Sequence, residues 1–287
     1  MHAQGKDSAQ CFINLNIGLW DRVYIQRVLS AHTRCVPKEH RRQGVAGFES
    51  LARDVVVRTE AGAGIVATSC NSRIAEMVSA LEALDRLRAG NRRFVSDMQD
   101  RGALTSQARR MELTSGQAPF AVILGCSDSR VPVEIVFDQG LGDLFVIRVA
   151  GNIVAPSQIG SVEFAAEQYG TRLVVVLGHS RCGAILATLE QLKRPVESQS
   201  RNLHSIVNRV RPSVEGLLRA GLDCDHDALV HQAVRANIRA SASHLRHGSE
   251  LIEQMVDKDG LLVVGAEYSL ETGEVDFFDG IAAGWQR

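Results

Sequence analysis

Residues 124–132 read LGCSDSRVP and begin at the last residue of a short apolar run, FAVIL at residues 120–124. Such a run, bounded by polar residues and glycine, predicts a buried strand. Where this strand ends, the chain places a thiol, a carboxylate and a guanidinium at alternate positions, Cys126, Asp128 and Arg130. Because ligands of open parallel sheets bind at the carboxyl ends of strands, the stretch predicts a functional site at this point.

A second stretch repeats this arrangement about fifty residues later. The apolar run LVVVL at residues 173–177 is followed by GHSRCG at residues 178–183. Two strand ends therefore offer Cys126, His179 and Cys182. Thiolates and imidazole are the donors that zinc prefers, and three protein ligands leave a fourth position open, as in catalytic zinc sites. The pair of stretches predicts a zinc centre.

Each of these residues also has a simpler interpretation. A lone cysteine is often a small buried hydrophobic residue, and a lone histidine is often a hydrogen-bonded core residue. A redox pair of cysteines is the main rival, but it predicts Cys-x-x-Cys, whereas here the two-residue spacing joins His179 to Cys182. The combination of three donors at two strand ends favours the metal site.

The motifs CSDSRV and GHSxCG, in this order and spacing, resemble those of the β-class carbonic anhydrases. The resemblance extends from about Met77 to the C-terminus and does not include the first seventy or so residues. It implies one Zn²⁺ per subunit, held by Cys126, His179 and Cys182. It also implies a homodimer or a multiple of dimers, acting on carbon dioxide and bicarbonate.

The activity implied by this resemblance is the reversible hydration of carbon dioxide to bicarbonate and a proton, by attack of zinc-bound hydroxide. Two alternatives stay open at this point. The same site could hydrolyse carbon disulfide or carbonyl sulfide, which the motifs do not distinguish from carbon dioxide. The chain could also be a non-enzymatic zinc-bearing interaction module in which the N-terminal residues are the working part.

The resemblance assigns catalytic roles to two further residues. Asp128 would accept a hydrogen bond from the zinc hydroxide and orient it, and Arg130 would keep Asp128 ionised through a bidentate pair. The alternative is an ordinary surface ion pair, which contributes little. In some family members this aspartate becomes the fourth zinc ligand in a closed state.

Members that close in this way share a bicarbonate effector pocket made of Trp, Arg and Tyr. Here Arg148 matches the arginine and Tyr268 the tyrosine, but Ile123 stands at the tryptophan position. An aliphatic side chain has no indole donor, so we expect an open site. Gly125 favours a closed site instead, because glycine precedes the corresponding cysteine in many closing members.

The resemblance also implies that Gln117, Phe145 and Phe164 line the substrate pocket. Gln117 could donate its amide N–H to an oxygen of carbon dioxide or bicarbonate. Phe164 departs from the family pattern, because many members have tyrosine there, and the missing hydroxyl removes a polar contact. For both phenylalanines, a plain core position is the alternative.

The composition is that of a globular protein of one or two domains, with 287 residues, 45% hydrophobic and 23% charged. The formal net charge of −1 favours neither nucleic acid nor a membrane surface as a partner, and no apolar run is long enough to span a bilayer. The six cysteines are scattered rather than arranged as a disulfide framework, at positions 11, 35, 70, 126, 182 and 224. Together with a polar N-terminus, they favour a reduced, cytoplasmic setting.

Two parts are expected, an N-terminal extension of uncertain structure at residues 1–75 and a catalytic domain at residues 76–287. The extension mixes short apolar pieces with charge and has no sustained periodicity. It could be partly disordered, an added interaction segment, or an upstream region read from a wrong start codon.

The domain itself is predicted to be α/β, with a mostly parallel central sheet flanked by helices and an N-terminal helical arm. Apolar spacing from Val78 to Arg88 predicts an arm helix that ends at residues 89–91, followed by a short second helix from Arg92. Strands are expected at residues 120–124, 143–149, 173–177, 261–265 and 275–278, the last two joined by a hairpin. Helices are expected at residues 103–115, 132–137, 159–169, 183–192, 203–220 and 228–257.

Overall fold

The computed structural model of the chain describes residues 78–99, 105–194, 200–220 and 225–281. The predicted extension at residues 1–75 therefore lies outside the described residues. No helix in the described part is long and apolar enough to cross a membrane. The helices are α1 (Ala80–Val95), α2 (Gln107–Glu112), α3 (Val133–Val136), α4 (Pro156–Gln168), α5 (Gly183–Lys193), α6 (Arg201–Arg219), α7 (His226–His247) and α8 (Glu250–Lys258).

The five strands of the described residues form a single sheet of order β2-β1-β3-β4-β5. Three pairings are parallel, and only β4 with β5 is antiparallel, through the hairpin that the sequence predicted. The mostly parallel α/β fold is thus confirmed. The strands are β1 (Ala121–Gly125), β2 (Leu144–Arg148), β3 (Leu173–His179), β4 (Leu262–Tyr268) and β5 (Val275–Asp279).

Helices cover both faces of this sheet, which is why the central strands read as continuous apolar runs rather than alternating ones. On one face, Val122 and Leu124 of β1 pack in a core with residues of α4 to α8. On the other, Ala121 and Ile123 pack with residues of α1 and α3. The two faces follow from the period of two along a strand. The site residues that follow β1 and β3 therefore project from a rigid, buried platform.

Helix α1 departs from the prediction, because it continues without a break through residues 89–91. The expected second helix from Arg92 is its last turn. Gly90 is buried there against the backbone of Phe137, an approach that a side chain would prevent. Asn91 is also buried, and its amide donates to the carbonyls of Val136 at 3.2 Å and Gly273 at 2.9 Å. These long-range contacts hold residues in the helix that would otherwise end it.

Replacement of Gly90 by alanine should destabilise the fold in spite of the higher helix propensity of alanine. A Cβ at this position would overlap the carbonyl group of Phe137, and overpacking against backbone costs about 3 kcal/mol, more than the roughly 1 kcal/mol gained in propensity. Gly216 in α6 is the matched control, because a Cβ there meets nothing within 4 Å. We expect Gly216→Ala to raise the free energy of unfolding by about 0.5–1 kcal/mol. Urea denaturation of both variants checks this, and a stabilised Gly90→Ala protein would contradict the packing described.

Two other helical predictions change in detail. The segment predicted as one helix at residues 228–257 is divided into α7 and α8 at Gly248, and the Ser249 hydroxyl caps α8 by accepting the N–H of Ile252 at 3.3 Å. The helix predicted at residues 103–115 is observed as α2 and a 3₁₀ turn ending before Gly116, and residues 103–104 lie outside the described part.

Candidate metal centre

The two predicted motifs meet at one edge of the sheet. Cys126 directly follows β1, His179 is the last residue of β3, and Cys182 precedes the first residue of α5. Because β1 and β3 are adjacent and parallel, their carboxyl ends lie side by side. The ligand atoms of the three residues all lie within 4.8 Å of one another, and all three residues are buried.

The geometry of the two thiols suits a tetrahedral zinc ion. Their sulfur atoms are 3.9 Å apart, too far for a disulfide. Two sulfurs at about 2.3 Å from a tetrahedral zinc would be about 3.8 Å apart. The observed spacing thus matches the spacing that the ion requires.

The third donor, His179, is held in the tautomer that a metal needs. Its Nδ1 lies 2.9 Å from the carbonyl oxygen of Ser180, and since a carbonyl only accepts, Nδ1 carries the proton. Nε2 is therefore the unprotonated nitrogen, and it is buried with no hydrogen-bond partner among the described residues. A buried acceptor without a partner is costly, and a metal ion would satisfy it.

The pKa values of the two thiols shift in opposite directions. The pKa of Cys126 is lowered, chiefly by the hydrogen bond from the Cys182 thiol, with further help from the N–H of Gly151 at 3.3 Å. The pKa of Cys182 is raised by the same hydrogen bond and by burial. The pair therefore loses one proton readily, and a cation is needed to stabilise the second thiolate.

Asp128 and Arg130 form the bidentate pair that was expected for them. The guanidinium donates to one carboxylate oxygen at 2.9 Å and to the other at 2.7 Å. These hydrogen bonds hold the pKa of Asp128 well below its usual range. One carboxylate oxygen also lies 3.8 Å from Nε2 of His179. An ionised acceptor is thus placed beside the three donor atoms.

Arg148 has a contact that sequence reasoning missed. Its guanidinium donates to the backbone carbonyls of Cys126 at 3.1 Å and Asp128 at 2.6 Å. The pairing of Gly125 with Arg148 in the sheet places it there, and only the strand register could have revealed this. Tyr268, its expected effector partner, is buried at the end of β4, where burial raises its pKa. Arg148 is on β2 and Tyr268 is on β4, and β1 and β3 lie between these two strands in the sheet. The effector pocket therefore stays a prediction.

Loss of the Arg148 side chain should therefore loosen the metal centre. Residues that orient a metal ligand contribute about 10- to 100-fold to metal affinity, and we expect Arg148→Ala to raise the zinc dissociation constant by about tenfold. Competition with a coloured chelator measures this. Arg209→Ala is the control, since Arg209 is exposed on α6 and its hydrogen bonds within the described part of the chain are to Ser205. Unchanged zinc affinity in Arg148→Ala would show that the two carbonyl contacts are incidental.

The loop between His179 and Cys182 is tied to the β4–β5 hairpin, a second feature without a sequence signal. The Ser180 hydroxyl donates to Glu271 at 2.7 Å, and Arg181 pairs with the same carboxylate at 2.7 Å. Arg181 has a φ of 54°, a left-handed conformation that is uncommon for a residue with a side chain. Glu271 thus holds the ligand loop in a shape that the chain alone would not favour.

The three residues expected to line the substrate pocket lie together, but away from the metal centre of their own chain. Gln117 precedes β1, Phe145 lies near the start of β2, and Phe164 is in the second half of α4, 40% exposed. Since β1 has five residues and a strand rises about 3.3 Å per residue, about 16 Å of strand separates Gln117 from Cys126. The described chain therefore does not bring the two groups together.

A fourth residue joins this group, and sequence reasoning missed it as a site residue. The Gln117 amide donates to the Tyr169 hydroxyl at 2.9 Å. The Tyr169 ring packs against Phe145 and Phe164, with centroids 6.1 Å and 5.7 Å away. We call Gln117, Phe145, Phe164 and Tyr169 the aromatic cluster. The sequence predicted only that Tyr169 ends a helix, which carries no hint of the Gln117 contact.

Comparison with known proteins agrees with the family resemblance of the motifs. Residues 121–275 match the family model described as carbonic anhydrase. The chain is 39% identical over 190 residues to a carbonic anhydrase of Mycolicibacterium smegmatis, covering 66% of this chain and 89% of that one. It is 36% identical over 195 residues to carbonic anhydrase 2 of Mycobacterium tuberculosis, covering 68% and 91%.

Solved structures give the same result for the fold. The β-carbonic anhydrase CcaA is similar with a TM-score of 0.56 and 25% identity, over 71% of this chain and 91% of that one. One of two tetrameric β-carbonic anhydrases from Sordaria macrospora is similar with a TM-score of 0.53 and 25% identity, over 59% and 85%.

Proposed function

The chain belongs to the β-class carbonic anhydrase family, and on that premise we propose that Cys126, His179 and Cys182 hold its zinc ion. It is a zinc enzyme that converts carbon dioxide and water reversibly to bicarbonate and a proton. The observation that carries the proposal is the buried Nε2 of His179, which has no partner among the described residues and lies beside two free thiols. This donor set suits zinc with one position left for solvent.

The side chains around the donors have distinct tasks in this reaction. A zinc ion held there supplies Lewis-acid activation of a water molecule. Asp128 lies 3.8 Å from the His179 nitrogen, where its carboxylate would accept a hydrogen bond from that water and would orient it toward the carbon of carbon dioxide. Arg130 keeps Asp128 ionised and fixes the carboxylate through its two hydrogen bonds.

We propose further that the site is open, with Asp128 paired to Arg130 rather than bound to the metal. Both carboxylate oxygens accept hydrogen bonds from Arg130, so closure would require this pair to break. Ile123, at the tryptophan position of the closing members, is fully buried in the core. It offers no donor to an effector that would favour closure.

Zinc analysis combined with stopped-flow hydration of carbon dioxide, at pH 7 and pH 8.5, tests both proposals. One zinc per chain and strong activity at both pH values are expected. Activity only at pH 8.5 would mean that Asp128 closes the site. Zinc without hydration at either pH, but with hydrolysis of carbon disulfide or carbonyl sulfide, would move the function to that alternative. Zinc with no turnover of any of these substrates would favour a non-enzymatic module.

We propose that the aromatic cluster completes the active site of a second copy of the chain. About 16 Å of strand separates Gln117 from its own Cys126, which supports a role for the cluster at the metal centre of another copy rather than at its own. Phe164 is 40% exposed although it is large and apolar, as expected of a residue that a neighbouring subunit covers. The assembly is accordingly a homodimer or a multiple of dimers.

Hybrid dimers test this arrangement. A Cys182→Ser chain lacks a ligand, and a Gln117→Ala chain loses a donor whose removal should cost at least about tenfold in kcat/KM. In a hybrid dimer, the Gln117→Ala chain keeps all three metal ligands and the Cys182→Ser chain keeps Gln117. One complete site therefore forms between the two chains. Activity close to half that of the wild-type dimer is expected after co-expression with two tags and purification of the hybrid. A hybrid no more active than the mean of its two parents would place the complete site within one chain.

Two assignments about context are also proposed. The catalytic domain is taken as residues 76–287, which includes the whole family match, and a chain beginning at residue 76 should retain full hydratase activity. The setting is taken as cytoplasmic, because both described cysteines are free thiols in the ligand set and ligation requires them reduced.

A further inference from the structure

The aromatic cluster contains one polar contact that ring packing does not explain. The three rings contact one another at centroid distances of 5.7 to 6.2 Å, and Phe164 meets Tyr169 edge-on. Phenylalanine at position 169 would keep these ring contacts. The Tyr169 hydroxyl serves a different purpose, because it accepts the hydrogen bond of Gln117 at 2.9 Å.

This hydroxyl is the only one among the four side chains of the cluster. Position 164 carries phenylalanine, which has no hydroxyl. Tyr169 lies at the end of the same helix, at the position that caps α4. The hydroxyl of the cluster thus lies five residues beyond Phe164, on the ring that meets Phe164 edge-on.

The contact also leaves hydrogen-bonding capacity unused. An amide nitrogen has two N–H groups, and Tyr169 accepts one from Gln117, so the second remains available. The phenol O–H proton has no acceptor among the described residues. A hydroxyl that accepts a hydrogen bond becomes a better donor, because hydrogen bonds in a chain polarise one another.

We propose that Tyr169 is a positioning residue of the substrate pocket, which fixes the Gln117 amide through the hydrogen bond to its hydroxyl. The held amide directs its second N–H to an oxygen of carbon dioxide or bicarbonate. The proposal rests on the function proposed above, in which Gln117 lines the pocket. Without the phenol, the exposed Gln117 side chain would sample several rotamers and would offer its donor only part of the time.

A double-mutant cycle of Tyr169→Phe and Gln117→Ala tests the coupling, with carbon dioxide hydration as the readout. Tyr169→Phe alone should lower kcat/KM by about threefold to tenfold, mainly through a higher KM, as expected for the loss of one hydrogen bond. In the Gln117→Ala background, the same substitution should change kcat/KM by less than twofold. Equal effects in the two backgrounds would overturn the proposal. If Gln117→Ala alone leaves kcat/KM unchanged, Gln117 does not line the substrate pocket. The proposed function of the aromatic cluster is then wrong, whatever the result for Tyr169.

A spectroscopic measurement, which does not depend on activity, separates positioning from simple packing. The ultraviolet resonance Raman difference spectrum between wild type and Gln117→Ala should show that one tyrosine no longer accepts a hydrogen bond. The same substitution of Gln117 in the Tyr169→Phe background should leave the tyrosine bands unchanged. A tyrosine spectrum that is the same in wild type and Gln117→Ala would count against the proposal.

Discussion

Replacing Cys182 by serine is expected to remove zinc from the protein and to lower carbon dioxide hydration by about 1000-fold or more. Cys182 is fully buried, and its sulfur lies 3.9 Å from that of Cys126. A serine hydroxyl is a much weaker ligand than a thiolate at neutral pH. A metal ion contributes several kcal/mol to transition-state stabilisation, and each 1.36 kcal/mol is tenfold in rate. Metal analysis after dialysis and stopped-flow assays measure both effects.

The matched control is Cys224→Ser, the same substitution at a cysteine outside the ligand set. It should keep one zinc per chain and full activity. Circular dichroism of Cys182→Ser should show an intact fold, since the exchange of sulfur for oxygen changes little volume. A Cys182→Ser protein that retains stoichiometric zinc after dialysis against a chelator would remove Cys182 from the ligand set.

Replacing Asp128 by asparagine should lower kcat/KM by about 100-fold while zinc stays bound, because a positioned acid–base group contributes 10²- to 10⁴-fold. Asparagine keeps the shape but loses the charge and half of the accepting capacity that Arg130 and the water use. The pKa of Asp128 lies well below its usual range. Asp128 is therefore fully ionised at any pH above about 3.9, the pKa of aspartate in an unfolded chain. It becomes protonated only at lower pH. The loss of activity should consequently be the same at pH 7 and pH 8.5.

Asp276→Asn is the control for this experiment, because Asp276 also pairs with an arginine, Arg235, at 2.8 Å but is 63% exposed on β5. It should change kcat/KM by less than twofold. Arg130→Ala should have a smaller effect than Asp128→Asn, about tenfold, since the carboxylate remains but is less well oriented. If Asp128→Asn retains more than a third of the wild-type rate with zinc bound, Asp128 has no direct part in the reaction.

The fold and the metal centre were predictable because their determinants are local. Buried parallel strands read as short apolar runs, and the carboxyl ends of adjacent strands meet at one edge. Cys126, His179 and Cys182 could therefore be placed together without coordinates. The pairing of Asp128 with Arg130 was equally accessible, because the two residues are only two positions apart.

Most of the features that sequence reasoning missed depend on distant partners. Helix α1 passes through Gly90 because the backbone of Phe137 lies against it, 47 positions away in the sequence, and no local propensity encodes that contact. The contacts of Arg148 follow from strand register, and the contact of Tyr169 with Gln117 joins residues 52 positions apart. Pattern reasoning identified which residues matter at the strand ends but not which backbone groups they hold.

The unbroken helix α1 also determines where force on the N-terminal region would be felt. Asn91 fastens the helix to the body of the domain through three hydrogen bonds. The preceding twelve residues to Ser79 extend about 18 Å from that anchor, at 1.5 Å per residue. Ala83, Leu84 and Leu87 are fully buried along this length, so the helix is fixed to the domain along one face as well as at Asn91. A pull applied at Ser79 would therefore be carried by the helix to the Phe137 turn and the β4–β5 hairpin, and residues 89–91 would not bend as a hinge.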